Sequence, residues 1–405
     1  ICGRAVWHNG QCNWLAKTVG DQGSMVAKAM PSDVYSGVAG TAWFLAELYA
    51  ETREPAFRAA ALGGMRQALS SEAACRANGS YTFYQGRTGM LVAAIQVSER
   101  CDEPALIQQA RAAAGQLSPT ILENEGNDLL SGLAGVLIGV VALGLQFPEM
   151  EHLKVLAKAL ADAIVLRAEV QETGASWSDP VDGQAHNLCG LSHGASGIAL
   201  ALIEAARWLD TPVYDAAIEE AFAYEASWYH RAGGRWPDLR YLMDGMDPAR
   251  VTESVFWCHG SPGISLALHR AEQRAFPNST GLVAQDCFAH TLCALEQTLD
   301  VAGDDMSICH GVCGNAASLL PSGLLSEALT YQVVSQVAAY LKRVEHDQDT
   351  ITGVDYFTGL AGIGSFLLHV PKGAVPALML PVGDLGASAE RKQHQARLVT
   401  ADNEA

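Results

Sequence analysis

Two stretches of this chain gather soft metal ligands beside glycine. They are Trp257-Cys258-His259-Gly260 and Ile308-Cys309-His310-Gly311, the second followed by Cys313. Thiolate sulfur and imidazole nitrogen are donors that zinc takes in a tetrahedron, and a catalytic zinc keeps three protein ligands and one open position. Cys258, Cys309 and His310 would supply such a set from two places in the chain. Adjacent Cys and His reach one ion only where the backbone turns sharply, which Gly311 permits. The spacing is unlike that of zinc fingers or ribbons, which favours an open, working site. Other assignments stay open: His259 or Cys313 could replace a named ligand, and Cys189 could lie near. His193, with no cysteine beside it, is better placed as a general acid or base, because an imidazole titrates near neutral pH. The bland alternatives are cysteines packed as small core residues and a histidine bonded to a loop carbonyl.

These residues sit in a repeat. A Gly-x-x-Gly element followed by an apolar run recurs seven times, with first glycines Gly37, Gly86, Gly132, Gly194, Gly260, Gly311 and Gly359, on average about 54 residues apart. Each unit has room for two helices. The apolar run after each Gly-x-x-Gly predicts an inner helix buried all round. Amphipathic stretches over residues 103–117, 151–170 and 325–344 predict outer helices with one wet face. Seven inner and about seven outer helices predict an all-α, closed (α/α) toroid. In a toroid the inner helix starts share one end, so His193, Cys258, Cys309 and His310 would meet in one cleft, with Asp128 just ahead of the third glycine. Two longer gaps carry residues 176–187 and 233–245, rich in Trp, Pro, Asp and Gly. They predict irregular loops over the cleft, and with them Trp236 and Asp238 join Trp257, His259 and Cys313 as candidates to support the ligands or touch a substrate. Asn9-Gly10 predicts a hairpin within about residues 1–20. Residues 1–386 read as one domain and residues 387–405 as a polar, disordered tail.

Composition sets the outer limits. Apolar residues are 49% of the 405 and charged ones 17%, which suits a large buried core. A net charge of −18 argues against a nucleic-acid backbone as main partner. The longest apolar run, residues 129–147, is broken by glycine and reads as a buried helix rather than a membrane span. Ten cysteines in a chain this long do not make a disulfide framework, so reduced thiols and a cytoplasmic location are expected. The chain opens on Ile1 rather than Met, as a trimmed or excised domain would.

The motifs "SGLAG", "LSHGASGIALAL", "WCHGSPG", "ICHGVCGN" and "TGLAG", in this order over nearly the whole chain, resemble those of lanthionine synthetase C-like proteins, the cyclases of lanthipeptide biosynthesis. "HGASG" and "RWPDLR" look more like the cyclase domains of fused synthetases than the stand-alone type. The resemblance implies a double α-barrel holding one zinc ion on Cys258, Cys309 and His310, with His193 as catalytic histidine and Asp128 as its acidic partner. It implies thioether ring formation: a cysteine thiolate of a dehydrated precursor peptide adds to a dehydroalanine or dehydrobutyrine of the same peptide. Dehydration would fall to a separate or fused dehydratase or kinase-lyase component. Two positions depart from the pattern. His259 stands where many relatives have Tyr, and Ser254 where some stand-alone cyclases have Arg. Alternatives are a protein prenyltransferase-type zinc toroid, an enzyme adding glutathione to dehydroamino acids, and a non-catalytic zinc-bound scaffold in a peptide-modifying complex.

Overall fold

The computed structural model describes residues 1–382 apart from residues 20–23, 71–79, 124–125, 179–185, 231–233, 277–278, 301–304 and 347–352. The chain opens with two hairpins, Val6–His8 (β1) with Gln11–Asn13 (β2), and Leu15–Val19 (β3) with Met25–Ala29 (β4). Asn9 and Gly10 join the first pair at φ 49° and 75°, the doubly left-handed turn that Asn-Gly adopts most readily. Helices then follow in pairs: α1 (Val38–Thr52) and α2 (Pro55–Ser70), α3 (Arg87–Cys101) and α4 (Pro104–Ala114), α5 (Leu133–Gln146) and α6 (Glu151–Leu166). After a hairpin of Glu169–Gln171 (β5) and Gly174–Ser176 (β6) come α7 (Ala195–Leu209) and α8 (Asp215–Ser227), α9 (Ser261–Gln273) and α10 (Ala284–Asp300), α11 (Val312–Ser318) and α12 (Glu327–His346), and last α13 (Leu360–His369).

All seven first glycines of the repeat are helix N-caps, of α1, α3, α5, α7, α9, α11 and α13. These inner helices pack each on the next, and α13 returns to α1, so the ring closes. Every residue of α5 from Leu133 to Gly144 is buried, as an inner wall requires. Its outer partner α6 buries only Leu153, Leu156, Ala157, Leu160, Ala161 and Ile164, one stripe at helical spacing. The amphipathic stretch over 151–170 ends sooner than its pattern suggests, because Glu169 and Val170 pair with Ser176 and Ala175 in the β5–β6 hairpin. Six outer helices are seen among the described residues. After α13 the chain turns at Val370–Lys372 and buries Leu378, Met379 and Val382. The tail expected over residues 387–405 lies outside the described residues. No helix among the described residues is long and apolar enough to cross a membrane.

The second glycine of each repeat has one physical reason. A Cβ built on Gly40, Gly89, Gly135, Gly197, Gly263, Gly314 or Gly362 would run into the carbonyl oxygen six residues earlier, in the loop that enters the same helix. The entry loop therefore lies directly on the first turn of the helix, and any side chain there forces them apart. Gly89→Ala is expected to cost about 1–3 kcal/mol through this overlap. Gly3→Ala, where a Cβ meets nothing within 4 Å, should be neutral; urea midpoints of the two variants check the contrast.

Candidate metal centre and the histidine beside it

The entry loops are laced together. Counting back two residues from each capping glycine gives Tyr35, Tyr84, Leu130, Ser192, Cys258, Cys309 and Phe357. The backbone N–H of Leu130 donates to the Ser192 carbonyl (3.0 Å), Ser192 to Cys258 (3.1 Å), Cys258 to Cys309 (3.4 Å) and Cys309 to Phe357 (2.8 Å). Phe357 donates in turn to Tyr35 (3.1 Å), and Tyr35 to Tyr84 (3.0 Å). Only between the second and third repeats does the pattern shift, where Phe83 N–H donates to the Gly135 carbonyl (3.0 Å). This lacing puts Cys258 next to Cys309 although the residues are far apart in sequence. The sulfurs and the His310 imidazole offer ligand atoms that all lie within 4.8 Å of one another, so these three residues could hold a metal ion.

The surroundings orient each donor. The Tyr35 hydroxyl donates to Cys309 Sγ at 2.8 Å. Asp305 lies 3.3 Å from Nε2 of His310, which leaves the other ring nitrogen for a metal. Asn315, one turn into α11, donates to the Val255 carbonyl at 2.9 Å and ties the two cysteine-bearing loops together. Gly260 sits at φ 98°, a conformation open to glycine alone, and a Cβ there would strike the Ser254 carbonyl. The neighbouring Cys309 thiol pulls the Cys258 thiol down to about 4, against burial, with His310 helping. The same coupling pushes Cys309 and His310 up. Two thiols and an imidazole this close compete for protons, which is the chemistry expected of a zinc donor set.

The general acid–base candidate lies next door. His193 is one residue past Ser192, whose N–H and hydroxyl both bond the Cys258 carbonyl. Its Nδ1 is 2.7 Å from Asp128 Oδ2. Asp128 belongs to a series: Asp33, Asp128 and Asp355 each stand four residues before a capping glycine and accept the backbone N–H of Ser36, Ser131 or Thr358. The three carboxylates hold equivalent turns but titrate differently. Burial pushes Asp33 up to about 6 and also raises Asp355, in both cases against the hydrogen bonds they accept. Burial acts most strongly on Asp128 too, but the His193 bond and charge, together with the bonds from Ser131, overcome it and hold the carboxyl below its usual range. In the fourth repeat the position is Gly190 (φ 106°), and buried Glu225 reaches in to accept the N–H of Gly190 and Ser196.

A family model of lanthionine synthetase C-like protein matches residues 28–379. The chain belongs to the lanthionine synthetase C-like family. The solved structure of nisin cyclase overlays on 86% of this chain and 92% of its own with a TM-score of 0.58, at 14% sequence identity, which shows a common fold. Glutathione S-transferase LANCL1 of Danio rerio is 24% identical over 247 residues, a match covering 58% of this chain and 57% of that relative. The chain thus spans little more than half the length of this curated relative.

In this lanthionine synthetase C-like protein the remaining candidates fall into distinct places. His259, with its ring 5.8 Å from that of His193, is buried, and burial lowers it to about 4, so it is neutral. Cys313 is fully buried inside α11 and stands outside the metal group. Cys189 is likewise buried, against Glu225. Trp257 is buried beneath the cleft, its ring 4.7 Å from Phe357 and its Nε1 donating to the Met379 carbonyl at 3.0 Å. Trp236 and Asp238 line a small cleft with Ser254 and His259. Of the stretch 176–187, residues 179–185 lie outside the described set, and the hairpin that precedes it packs on outer helix α8. Sequence reasoning missed Tyr35 and Asp305. The repeat register could have found Tyr35, since it shares the position of both cysteines.

Cys309→Ala is expected to abolish stoichiometric zinc binding. Tyr35→Phe and Asp305→Asn, which remove only supports, should weaken it about 10- to 100-fold, as a chelator competition would show. In His193→Ala the Asp128 carboxyl should rise toward the value of Asp33. A folded pKa below the unfolded one adds stability at neutral pH that is lost as pH falls through the folded value. His193→Ala should therefore lose about 2 kcal/mol at pH 7 and little in acid; denaturation midpoints across pH would reveal the difference.

Proposed function

We propose that the protein is a zinc-dependent cyclase that forms lanthionine and methyllanthionine thioethers in a dehydrated precursor peptide. The observation that carries this reading is the juxtaposition of the Cys258, Cys309 and His310 group with the carboxylate-held His193, on a chain of this family. Two thiols and an imidazole fit zinc, so Cys258, Cys309 and His310 would hold it. When bound, zinc would lower the pKa of a peptide thiol and so supply a thiolate at neutral pH.

The residues of the chain then divide the work. Asp128 fixes the His193 ring by holding Nδ1, so Nε2 is the ring nitrogen assigned to proton transfer. Nε2 can take the proton that the peptide thiol gives up and return a proton to Cα of the dehydro residue. The net change is one new sulfur–Cβ bond and one new Cα–H bond, with no proton gained or lost. Buried Asp128 stabilises the imidazolium while it carries the proton. His259, its ring 5.8 Å from that of His193 and neutral, does not compete for that proton. Binding both ends of one peptide in this cleft makes the addition intramolecular, which supplies rate by proximity. A dehydratase or kinase-lyase component, separate or fused, would provide the substrate.

One observation favours a second reading. The LANCL1 relative is named a glutathione S-transferase, and glutathione would use the same thiolate chemistry on a dehydro residue. Incubation of the zinc-loaded protein with a dehydrated, cysteine-containing peptide and glutathione separates the two. Ring closure protects the peptide thiol from alkylation at unchanged mass, whereas a glutathione adduct raises the mass. Rings are expected, and adducts alone would overturn the cyclase reading. His193→Ala should keep its zinc and close rings about 100- to 10,000-fold more slowly.

A further inference from the structure

In the first, third and seventh repeats the turn ahead of the inner helix holds itself. Asp33, Asp128 and Asp355 accept the backbone N–H of the residue just before the capping glycine. In the fourth repeat that residue is His193, and the place of the aspartate is taken by Gly190, at φ 106°. Space explains the exchange. A Cβ on Gly190 would lie 3.1 Å from the Cys258 carbonyl oxygen and 3.1 Å from His259 Cα. The bare glycine lets the His193 turn lie against the backbone of the Cys258 loop, and with it goes the carboxylate that would have latched the turn.

The outer wall supplies a latch instead. Glu225, in the last turn of α8, is fully buried. Its Oε1 accepts the N–H of Gly190 at 2.9 Å and of Ser196 at 2.8 Å, one on each side of His193. Tyr224, beside it, donates its hydroxyl to the Asn187 carbonyl at 2.6 Å. The Trp236 indole N–H donates to the Glu225 carbonyl at 2.8 Å and ties this end of α8 to the excursion that follows. Helix α8 therefore grips the His193 turn at residues 187, 190 and 196, while the Ser192 N–H and hydroxyl fix its middle to the Cys258 carbonyl. Burial pushes the Glu225 carboxyl up, against the bonds it accepts. Burying a carboxyl is unfavourable unless it is hydrogen-bonded, and a leucine would pack this wall as well. Holding two N–H groups from either side of His193 on one atom needs an acceptor of this reach.

We propose that Glu225 is a positioning residue for His193: by holding the N–H groups of Gly190 and Ser196 on one oxygen, it sets the turn so that the imidazole meets Asp128 beside the metal group. It touches no reacting atom. Reach matters here and charge does not, because an amide oxygen accepts two N–H bonds as a carboxylate oxygen does. For its effect on rate the inference rests on the thioether-forming reading, but the hold on the ring can be read without turnover.

The test compares Glu225→Gln, which keeps the reach and loses the charge, with Glu225→Asp, which keeps the charge and is one methylene short. Both are assayed zinc-loaded on a synthetic peptide bearing one dehydroalanine and one cysteine, with ring closure read by thiol alkylation and mass spectrometry. The His193 Nδ1 proton, in its 2.7 Å bond to Asp128, is followed by NMR and assigned by its loss in His193→Ala. Glu225→Gln should match wild type in rate and signal. Glu225→Asp should keep its zinc and circular dichroism, fall about 10- to 100-fold in kcat with little change in KM, and lose the Nδ1 signal. A Glu225→Asp protein with the kcat and signal of wild type overturns the inference and leaves the proposed function standing. So does a Glu225→Gln protein slower than Glu225→Asp, which would make charge decisive. Loss of zinc or helicity in step with activity also overturns it, by giving Glu225 a structural role alone. A wild type that closes no ring removes the proposed function, and the Nδ1 signal of the two variants still decides whether Glu225 holds His193.

Discussion

At the position two residues before each capping glycine, the backbone of one repeat hydrogen-bonds to the backbone of the next. Six such bonds link Leu130, Ser192, Cys258, Cys309, Phe357, Tyr35 and Tyr84. They are possible only because each entry loop lies flat on its own helix, where the second glycine leaves room for a carbonyl oxygen. The chemistry depends on this belt. It sets the spacing of adjacent loops by main-chain geometry and leaves side chains free to vary from one repeat to the next. Two neighbours can then be cysteine, a third can place a histidine beside them, and a fourth can offer a tyrosine hydroxyl to Cys309.

The aspartates show the same economy. A carboxylate four residues before the glycine is first of all a turn-holder, as Asp33 and Asp355 illustrate. Asp128 keeps that role through Ser131 and adds the bond to His193. Asp128 falls where its counterparts rise, and the imidazole it holds is the feature the other two turns lack. A histidine–carboxylate pair has been made by placing one histidine, in the next repeat, against a carboxylate that already holds a turn.

Much of this was legible in the sequence, and the reason is repetition. Seven glycine pairs at similar spacing mark seven helix starts, and residue types that break the pattern at a fixed register, Cys258, Cys309 and His310 among them, stand out against it. The rest was hidden for separate reasons. Tyr35 looks like an ordinary packing residue, and its hydroxyl gains meaning only when ring closure brings the first repeat beside the last two. Asp305 precedes its motif by a distance that has no helical or strand meaning. After α13, residues 378, 379 and 382 pack inward, a burial that no periodic stripe in the sequence announced.

That inward packing bears on how the protein comes to be made. Tyr84 donates its hydroxyl to the Leu378 carbonyl at 3.1 Å, and Trp257 its indole N–H to Met379. Both rings lie against Phe357, within the aromatic layer under Cys258 and Cys309. During synthesis the two cysteines leave the ribosome well before residues 378 and 379 can complete that layer. Helix pairs can form one by one as they emerge, since each is local. The aromatic layer beneath Cys258 and Cys309 is therefore completed only when residues 378 and 379 arrive, well after both cysteines have been made.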